Sequence, residues 1–328
     1  MCENCLMSKG KTENSGKENA ILQRLQRLRV DVMGSSYFVK VACNLFKRAG
    51  MNPEAVNPQS KFAILKWVVT GQWRRFDVIH SVGGICLWKQ ALVRLLVPRP
   101  VVCHWIGSDV YQFQKNYKKG WEGFLLRLAV SRRVIKHLVD SPGLAEELRG
   151  SGITADVVRL LPELIEAGME PLPERFSVVG YWLDVMKDFY GGDIILQLAR
   201  EFPDIEFRIL GTSGKGETAP TNVKFFGFTE GLSEIYNQSS VLIRIPKHDS
   251  LSAMVLEMLA RGRYVIYNKK LPGCHFAGDL QEARKALLEI QQYKQPNSLG
   301  AQTVKEMFSL DREAEALRQV YARLFPPD

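Results

Sequence analysis

Residues Ile245 to Ile266 read IPKHDSLSAMVLEMLARGRYVI, and the succession of strand, polar turn, helix and strand within them decides the fold class. The apolar run from Val241 to Ile245 stops at Pro246, whose missing N–H cannot extend a ladder. A polar turn follows, and a helix is predicted from Leu251 to Arg261, entered near Ser250 or Ser252 and ended by Gly262 as a left-handed cap. Leu251, Met254, Val255, Met258 and Leu259 recur at helical spacing and form its core stripe, leaving Asp249, Ala253 and Glu257 on the other side. A second apolar run, Tyr264 to Asn268, completes the unit. Two strands joined through a helix point to a parallel sheet.

The same alternation extends in both directions. Strands are predicted at Arg29–Met33, Asp77–Ser81, Val101–His104, Val134–Asp140 and Ala155–Leu160 in the first half, and at Phe176–Trp182, Glu206–Leu210 and Val223–Phe226 in the second. Helices are predicted at Phe38–Ala49, Trp121–Ser131, Gly192–Glu201, Leu280–Gln291 and Asp311–Leu324. At 328 residues the chain exceeds what one core usually serves, so two α/β domains are expected. Residues 1–27 read as a polar, flexible tail, 28–162 as the first domain and 163–310 as the second. Leu161–Arg175, LPELIEAGMEPLPER, carries three prolines and reads as the linker. The helix within 311–328 either ends the second domain or returns to the first.

Composition narrows the function classes. With 46% hydrophobic and 24% charged residues the chain is globular, and no apolar run is long enough to span a bilayer. The N-terminal stretch MCENCLMSKGKTENSGKENA lacks the apolar core of a secretory signal, which points to the cytoplasm. The six cysteines are mostly isolated in apolar surroundings, as reduced thiols are. Cys2 and Cys5 make one CxxC without a second pair or a His at metal-site spacing, and Gly10-Lys11-Thr12 lacks the strand and earlier glycine of a P-loop. Residues 1–162 hold 25 Lys+Arg against 12 Asp+Glu, while the remainder holds 19 against 23. Such asymmetry suits an anionic partner, membrane or nucleic acid, or simply a well-solvated basic face. Arg24, Arg27 and Arg29 beside Ile21, Leu22, Leu25 and Leu28 form a short basic amphipathic stretch, and Lys115, Lys118 and Lys119 a second cluster. No nucleic acid is expected, because no RNA or DNA module appears and the aromatic residues do not interleave with the basic ones.

On one helix, Asp249 and Glu257 would lie about 12 Å apart along the axis and about 80° apart around it. Two carboxylates at that spacing can meet the two ends of one elongated ligand. The small residues between them leave the first-turn N–H groups open to a phosphate at the positive end of the helix dipole. The plainer alternatives are a solvated glutamate and a capping aspartate.

This stretch resembles the donor site of family-four retaining glycosyltransferases of the GT-B fold, whose pattern is a Glu, seven residues and a second Glu on such a helix, then Gly and an apolar strand. The resemblance implies an α/β chain of two Rossmann-like parallel-sheet domains facing across a cleft. It implies Glu257 on the ribose hydroxyls, Asp249 against the transferred sugar as a catalytic residue, and the backbone of Ser250, Leu251, Ser252 and Ala253 under the phosphates. Phe207–Thr212, FRILGT, resembles the strand and turn that open the nucleotide site and points to Gly211. Asn222–Phe228, NVKFFGF, resembles the strand that flanks the base and points to Gly227 and Phe228. Val101–Val110, VVCHWIGSDV, resembles the strand that ends in an active-site His, which puts His104 at the cleft as a second catalytic residue. The first-domain glycine loop is Gly34-Ser35-Ser36.

The chain departs from that pattern at four points, one of them the loop Gly34-Ser35-Ser36, which is less glycine-rich than the family's. Tyr181 stands where the family has an Arg, Lys187 is a loosely placed candidate for the family's Lys, and Asp249 is one methylene shorter than Glu. Arg244, Lys247 and His248 are candidates to neutralise the diphosphate instead. The resemblance implies metal-independent transfer of a sugar from a nucleoside-diphosphate sugar, the co-substrate, to a sugar or lipid-linked acceptor hydroxyl with retention. Cell-surface polysaccharide or glycolipid synthesis at the inner membrane face is the setting it suggests. No Asp-x-Asp occurs and the histidines show no ligand spacing, so neither a metal nor another cofactor is expected. The missing Arg keeps open a catalytically silent GT-B subunit that binds a sugar nucleotide or supports a partner.

Overall fold

The computed structural model describes residues 18–56 and 61–327. Cys2, Cys5 and Gly10–Thr12 lie outside the described residues. The chain divides into two compact units, one reaching to Leu161 and taking in the chain from Leu310 onward, the other spanning Pro162–Ser309.

The first unit holds helix α1 (residues 18–27), β1 (Val30–Met33), α2 (Ser36–Arg48), β2 (Pro53–Glu54), α3 (Lys61–Val69), β3 (Val78–Val82), α4 (Trp88–Leu96), β4 (Val101–Trp105), α5 (Ser108–Tyr117), α6 (Gly120–Arg133), β5 (Val134–Val139), α7 (Pro142–Arg149) and β6 (Asp156–Val157). The six strands pair in parallel in the order β2-β1-β3-β4-β5-β6. Alternate side chains leave a strand on opposite faces. Val30, Val32, Val78 and Val102 therefore meet Leu45 and Phe46 of α2 on one face. On the other, Met33 and Ile79 meet Trp67 of α3, and Cys103 and Trp105 meet Ala91 of α4, Phe113 of α5 and Leu126 of α6.

Two expectations change here. Residues 18–27 are a helix, not a tail, with Leu25 and the following Leu28 buried in the core and Ile21 packed against it. The apolar stripe of the basic amphipathic stretch is thus used internally, while its polar residues Gln23, Arg24, Gln26, Arg27 and Arg29 stay exposed. The C-terminal helix, whose label follows below, packs on this same core through Leu317, Val320 and Tyr321. Its Glu313 carboxylate accepts the Arg159 backbone N–H at 2.8 Å and pairs with the Arg159 guanidinium at 2.9 Å.

The second unit holds β7 (Ser177–Tyr181), α8 (Gly192–Glu201), β8 (Glu206–Leu210), β9 (Val223–Gly227), α9 (Leu232–Asn237), β10 (Val241–Arg244), α10 (Ala253–Ala260), β11 (Tyr264–Tyr267), β12 (Cys274–Phe276), α11 (Leu280–Ile290) and α12 (Ser298–Met307); α13 (Leu310–Leu324) is the helix returned to the first unit. The strands run parallel in the order β12-β11-β10-β7-β8-β9. Counted from β7, that is the 3-2-1-4-5-6 order of a dinucleotide-binding sheet. The proline-rich segment is anchored rather than loose. Ile165 is buried, and Leu164, Glu170 and Pro171 give their carbonyls to the guanidinium groups of Arg261 and Arg263 at 2.6 to 3.1 Å.

Candidate functional site

In an open parallel sheet the chain leaves the sheet in opposite directions on either side of the point where strand order reverses, and ligands bind outside the carboxyl ends of the strands there. In the second unit that point lies between β7 and β10, and the residues at the ends of those strands are Tyr181 and Arg244. The loops that follow them are knitted together. Lys247 N–H donates to the Phe189 carbonyl at 2.8 Å, and Gly191, at φ 78°, passes so close to the Ile245 carbonyl that any Cβ would strike it.

Arg244, at the end of β10, lies at this point. Its guanidinium stands over the rings of Tyr181 and Tyr190, 5.7 and 5.1 Å from their centroids, and its Nε donates to Asp249 Oδ2 at 2.9 Å. Burial works against its charge, but the Asp249 carboxylate prevails and raises its pKa. Burial pushes the Tyr181 hydroxyl up to about 12, with Tyr190 adding to the rise. A cation fixed between two aromatic faces and one carboxylate is preorganised to meet an anion.

The structure thereby reassigns Asp249. It precedes α10, whose N-cap is Ser252, so the helical spacing expected between Asp249 and Glu257 does not apply. Its carboxylate is occupied by Arg244 and by the Ser250 N–H at 3.1 Å. Glu257 also departs from expectation, since its side chain is 1% exposed within a helix that buries residues on every side. Its charge supports Arg261, whose guanidinium is depressed mainly by burial, and Arg261 Nη1 also donates to the Glu257 carbonyl at 3.0 Å. A ribose contact needs an accessible carboxylate, and this one is packed away.

Other expected residues are brought together. Gly211 N–H donates to Gly227 O at 2.8 Å and Gly227 N–H to Thr212 O at 3.0 Å, so the ends of β8 and β9 form one rim. Gly227 takes φ 60°, and Phe228 beside it is 82% exposed. Ser250 and Ser252 are buried, Leu251 and Ala253 half-buried, and the Ser252 side chain makes no capping bond among the described residues. That leaves the start of α10 to its backbone N–H groups. Lys187 is paired with Glu217 at 2.9 Å and Asp193 at 3.1 Å, and Lys247 with Asp188.

In the first unit the corresponding reversal lies between β1 and β3. Gly34 passes directly against the Val82 carbonyl, and Ser35 is the N-cap of α2. The Gly83-Gly84 doublet after β3, which sequence reasoning passed over, lies at the same point; Gly84 adopts φ 49° against the Trp105 ring. His104 is not at an open face. It is wholly buried, its Nε2 lies 2.7 Å from the Val158 carbonyl, and its Nδ1 lies 3.1 Å from His80 Nε2. His80 Nδ1 in turn lies 2.9 Å from the Tyr321 hydroxyl. The carbonyl accepts only, so His104 Nε2 carries the hydrogen in that bond, and the same nitrogen lies 3.4 Å from Asp140 Oδ1. With both ring nitrogens bonded and no exposure, His104 is a core residue. Among the described residues no cluster of His, Cys, Asp and Glu could hold a metal ion, and no helix is long and apolar enough to cross a membrane.

No family model and no curated protein sequence matches the chain. Solved structures do resemble it. Sucrose-phosphate synthase from Thermosynechococcus elongatus shares 13% identity at a TM-score of 0.70, covering 92% of this chain and 100% of that one. HepE from Anabaena, solved in complex with UDP, shares 12% at 0.61, covering 90% and 100%. A protein described as a UDP-N-acetylglucosamine 2-epimerase from Listeria monocytogenes shares 8% at 0.53, covering 92% and 97%. The fold is GT-B, with two Rossmann-like parallel sheets in one chain. At these identities the likeness is one of fold, and function rests on the site.

Proposed function

We propose that the chain is a glycosyltransferase that moves a sugar from a nucleoside-diphosphate sugar to an acceptor hydroxyl, binding the nucleotide at the β7/β10 crevice of the second unit. The observation that carries this reading is the caged Arg244 at the strand-order reversal, close in sequence to the start of α10. The diphosphate would rest on the N–H groups of the first turn of α10, where the helix dipole favours negative charge. Arg244 and Lys247 would oppose the charge that grows on the leaving diphosphate. Asp249 acts as a positioning residue through Arg244, and Phe228 offers a face for the base beside Gly211 and Gly227.

Retention at the anomeric carbon, independence of metal, a sugar or lipid-linked acceptor and a role in cell-surface polysaccharide or glycolipid synthesis belong to the same proposal. They rest on the sequence resemblance. The test is calorimetry with a panel of nucleoside diphosphates, with and without a chelator, followed by product analysis with the sugar nucleotide that binds. Transfer to an added acceptor with the anomeric configuration kept supports the reading; an epimerised sugar nucleotide would replace it with the chemistry named for the Listeria protein. A second reading, a catalytically silent sugar-nucleotide-binding or partner subunit, is favoured by one observation: Arg244, Lys187 and Lys247 are each paired with carboxylates. Turnover or hydrolysis of a sugar nucleotide by the purified chain decides against it.

A further inference from the structure

Helix α3 carries KFAILKWVV and turns Trp67 into the core against Met33, Ile79 and Val97. Its outer face keeps Phe62 85%, Leu65 59% and Val69 75% exposed. Positions three and four apart line one face of a helix, so these three form a stripe where a surface helix ordinarily carries polar residues. A single exposed apolar side chain needs no account, but a stripe of them does. From Lys61 to Phe76 the sequence holds four basic residues, Lys61, Lys66, Arg74 and Arg75, and no acidic one. Arg75 is shared with Glu54 at 2.8 Å.

The neighbouring helices of the same layer continue the pattern. α4 exposes Leu92 and Leu96, four residues apart. Trp121, at the start of α6, is exposed and meets Trp88 of α4 edge-on at 5.2 Å. Lys89 lies over the Trp88 ring, and Lys118 and Lys119 precede Trp121. An apolar centre bordered by lysine and arginine fits the boundary between acyl chains and anionic headgroups, where apolar burial and headgroup attraction act together. At 85% exposed, Phe62 stands out from its own surface and can enter an acyl layer.

We propose that the outer face of the α3, α4 and α6 layer docks on an anionic lipid bilayer, with Phe62, Leu65 and Val69 as its inserting edge. The proposal does not depend on the sugar-nucleotide reading. The test is flotation of the whole chain with phosphatidylcholine vesicles prepared with and without phosphatidylglycerol, at low and high salt. The wild type is expected to float only with the anionic vesicles, less so as salt rises. A triple variant, Phe62→Ser with Leu65→Glu and Val69→Glu, is expected to lose at least about tenfold in vesicle affinity, with its melting temperature and nucleoside-diphosphate binding unchanged. Absence of wild-type flotation, equal binding to neutral vesicles, or a triple variant that floats like the wild type would each overturn the proposal. Sedimentation showing that the stripe joins two copies of the chain, with no vesicle binding, would overturn it in favour of a protein interface. Nucleotide binding is read separately in every arm, so failure here leaves the proposed function standing, and the reverse.

Discussion

Replacing Asp249 by alanine separates a residue that holds Arg244 from one that merely caps a helix. The ion pair is 2.9 Å long, and its side chains are 9% and 13% exposed. Breaking one side of a buried pair costs about 3–5 kcal/mol, because the surviving charge keeps its desolvation without its partner. The faces of Tyr181 and Tyr190 remain, each contributing about 0.5–2 kcal/mol to a desolvated cation. With each face taken at its low end, the expected loss is about 2–4 kcal/mol, against about 0.5–2 kcal/mol for a capping aspartate. Since those ranges touch, the deciding measurement is a double-mutant cycle in urea melts with Asp249→Leu and Arg244→Met. A pair replaced whole by apolar groups of similar size is often near neutral, so the double variant should recover at least about 1.5 kcal/mol relative to additivity. It should also lose roughly tenfold to a hundredfold in nucleoside-diphosphate affinity, the usual worth of a charged hydrogen bond. A coupling below about 0.5 kcal/mol would refute the cage.

Phe228→Ala is expected to weaken nucleotide binding by about 1–3 kcal/mol without moving the melting temperature, because the ring is exposed and stacking is what it can offer; unchanged affinity in calorimetry removes it from the base site. Glu257→Gln is expected to lower the melting temperature and leave affinity within about tenfold, since its carboxylate is buried beside Arg261; a larger affinity loss at an unchanged melting temperature restores the ribose contact. His80 is held well below its usual pKa by burial and by His104. Below about pH 6.5 the unfolded chain takes up a proton that the folded chain refuses, so stability should be full above that pH and fall below it by up to about 1.4 kcal/mol per unit. Urea melts across pH 5 to 8 that show no such fall contradict a buried, neutral His80. Tyr321→Phe leaves His80 Nδ1 without its hydrogen-bond partner and should cost about 1–3 kcal/mol in the same melts.

Much of the architecture was legible in local pattern. The apolar runs that became β3, β4, β8 and β11 and the stripes of α2, α8 and α11 announce themselves because buried parallel strands and their covering helices have different periods. Short edge strands did not: β2 and β12 have two and three residues, too few for periodicity. Residues 18–27 read as tail because their polar face resembles the sequence before them, and only the burial of Leu25 and Leu28 sets them apart. The site was legible in outline, since the turns at Gly211 and Gly227 and the start of α10 do converge on the carboxyl ends of the strands. Its chemistry was less so. Tyr190 lies nine residues beyond Tyr181, and nothing local says that both rings will hold a guanidinium from a third segment. His104 looked functional because a histidine at a strand end has no sequence mark for burial; its partners, His80, Tyr321 and Val158, come from three distant stretches.

Arg261 and Arg263 also decide where a separable fragment of this chain can begin. Arg263 spends its donors on the carbonyls of Tyr236, Asn237, Glu170 and Pro171, and Arg261 binds the carbonyls of Leu164 and Glu257 together with Asn237 and Ser233. Cutting after Arg175, where the prolines end, would strip two nearly buried cations of acceptors that water cannot readily replace. A piece started at Pro162 keeps them. In cloning, grafting or recombination the working boundary is therefore set by which carbonyls the two guanidinium groups collect, and lysine, with a single rotating ammonium, could not draw it in the same place.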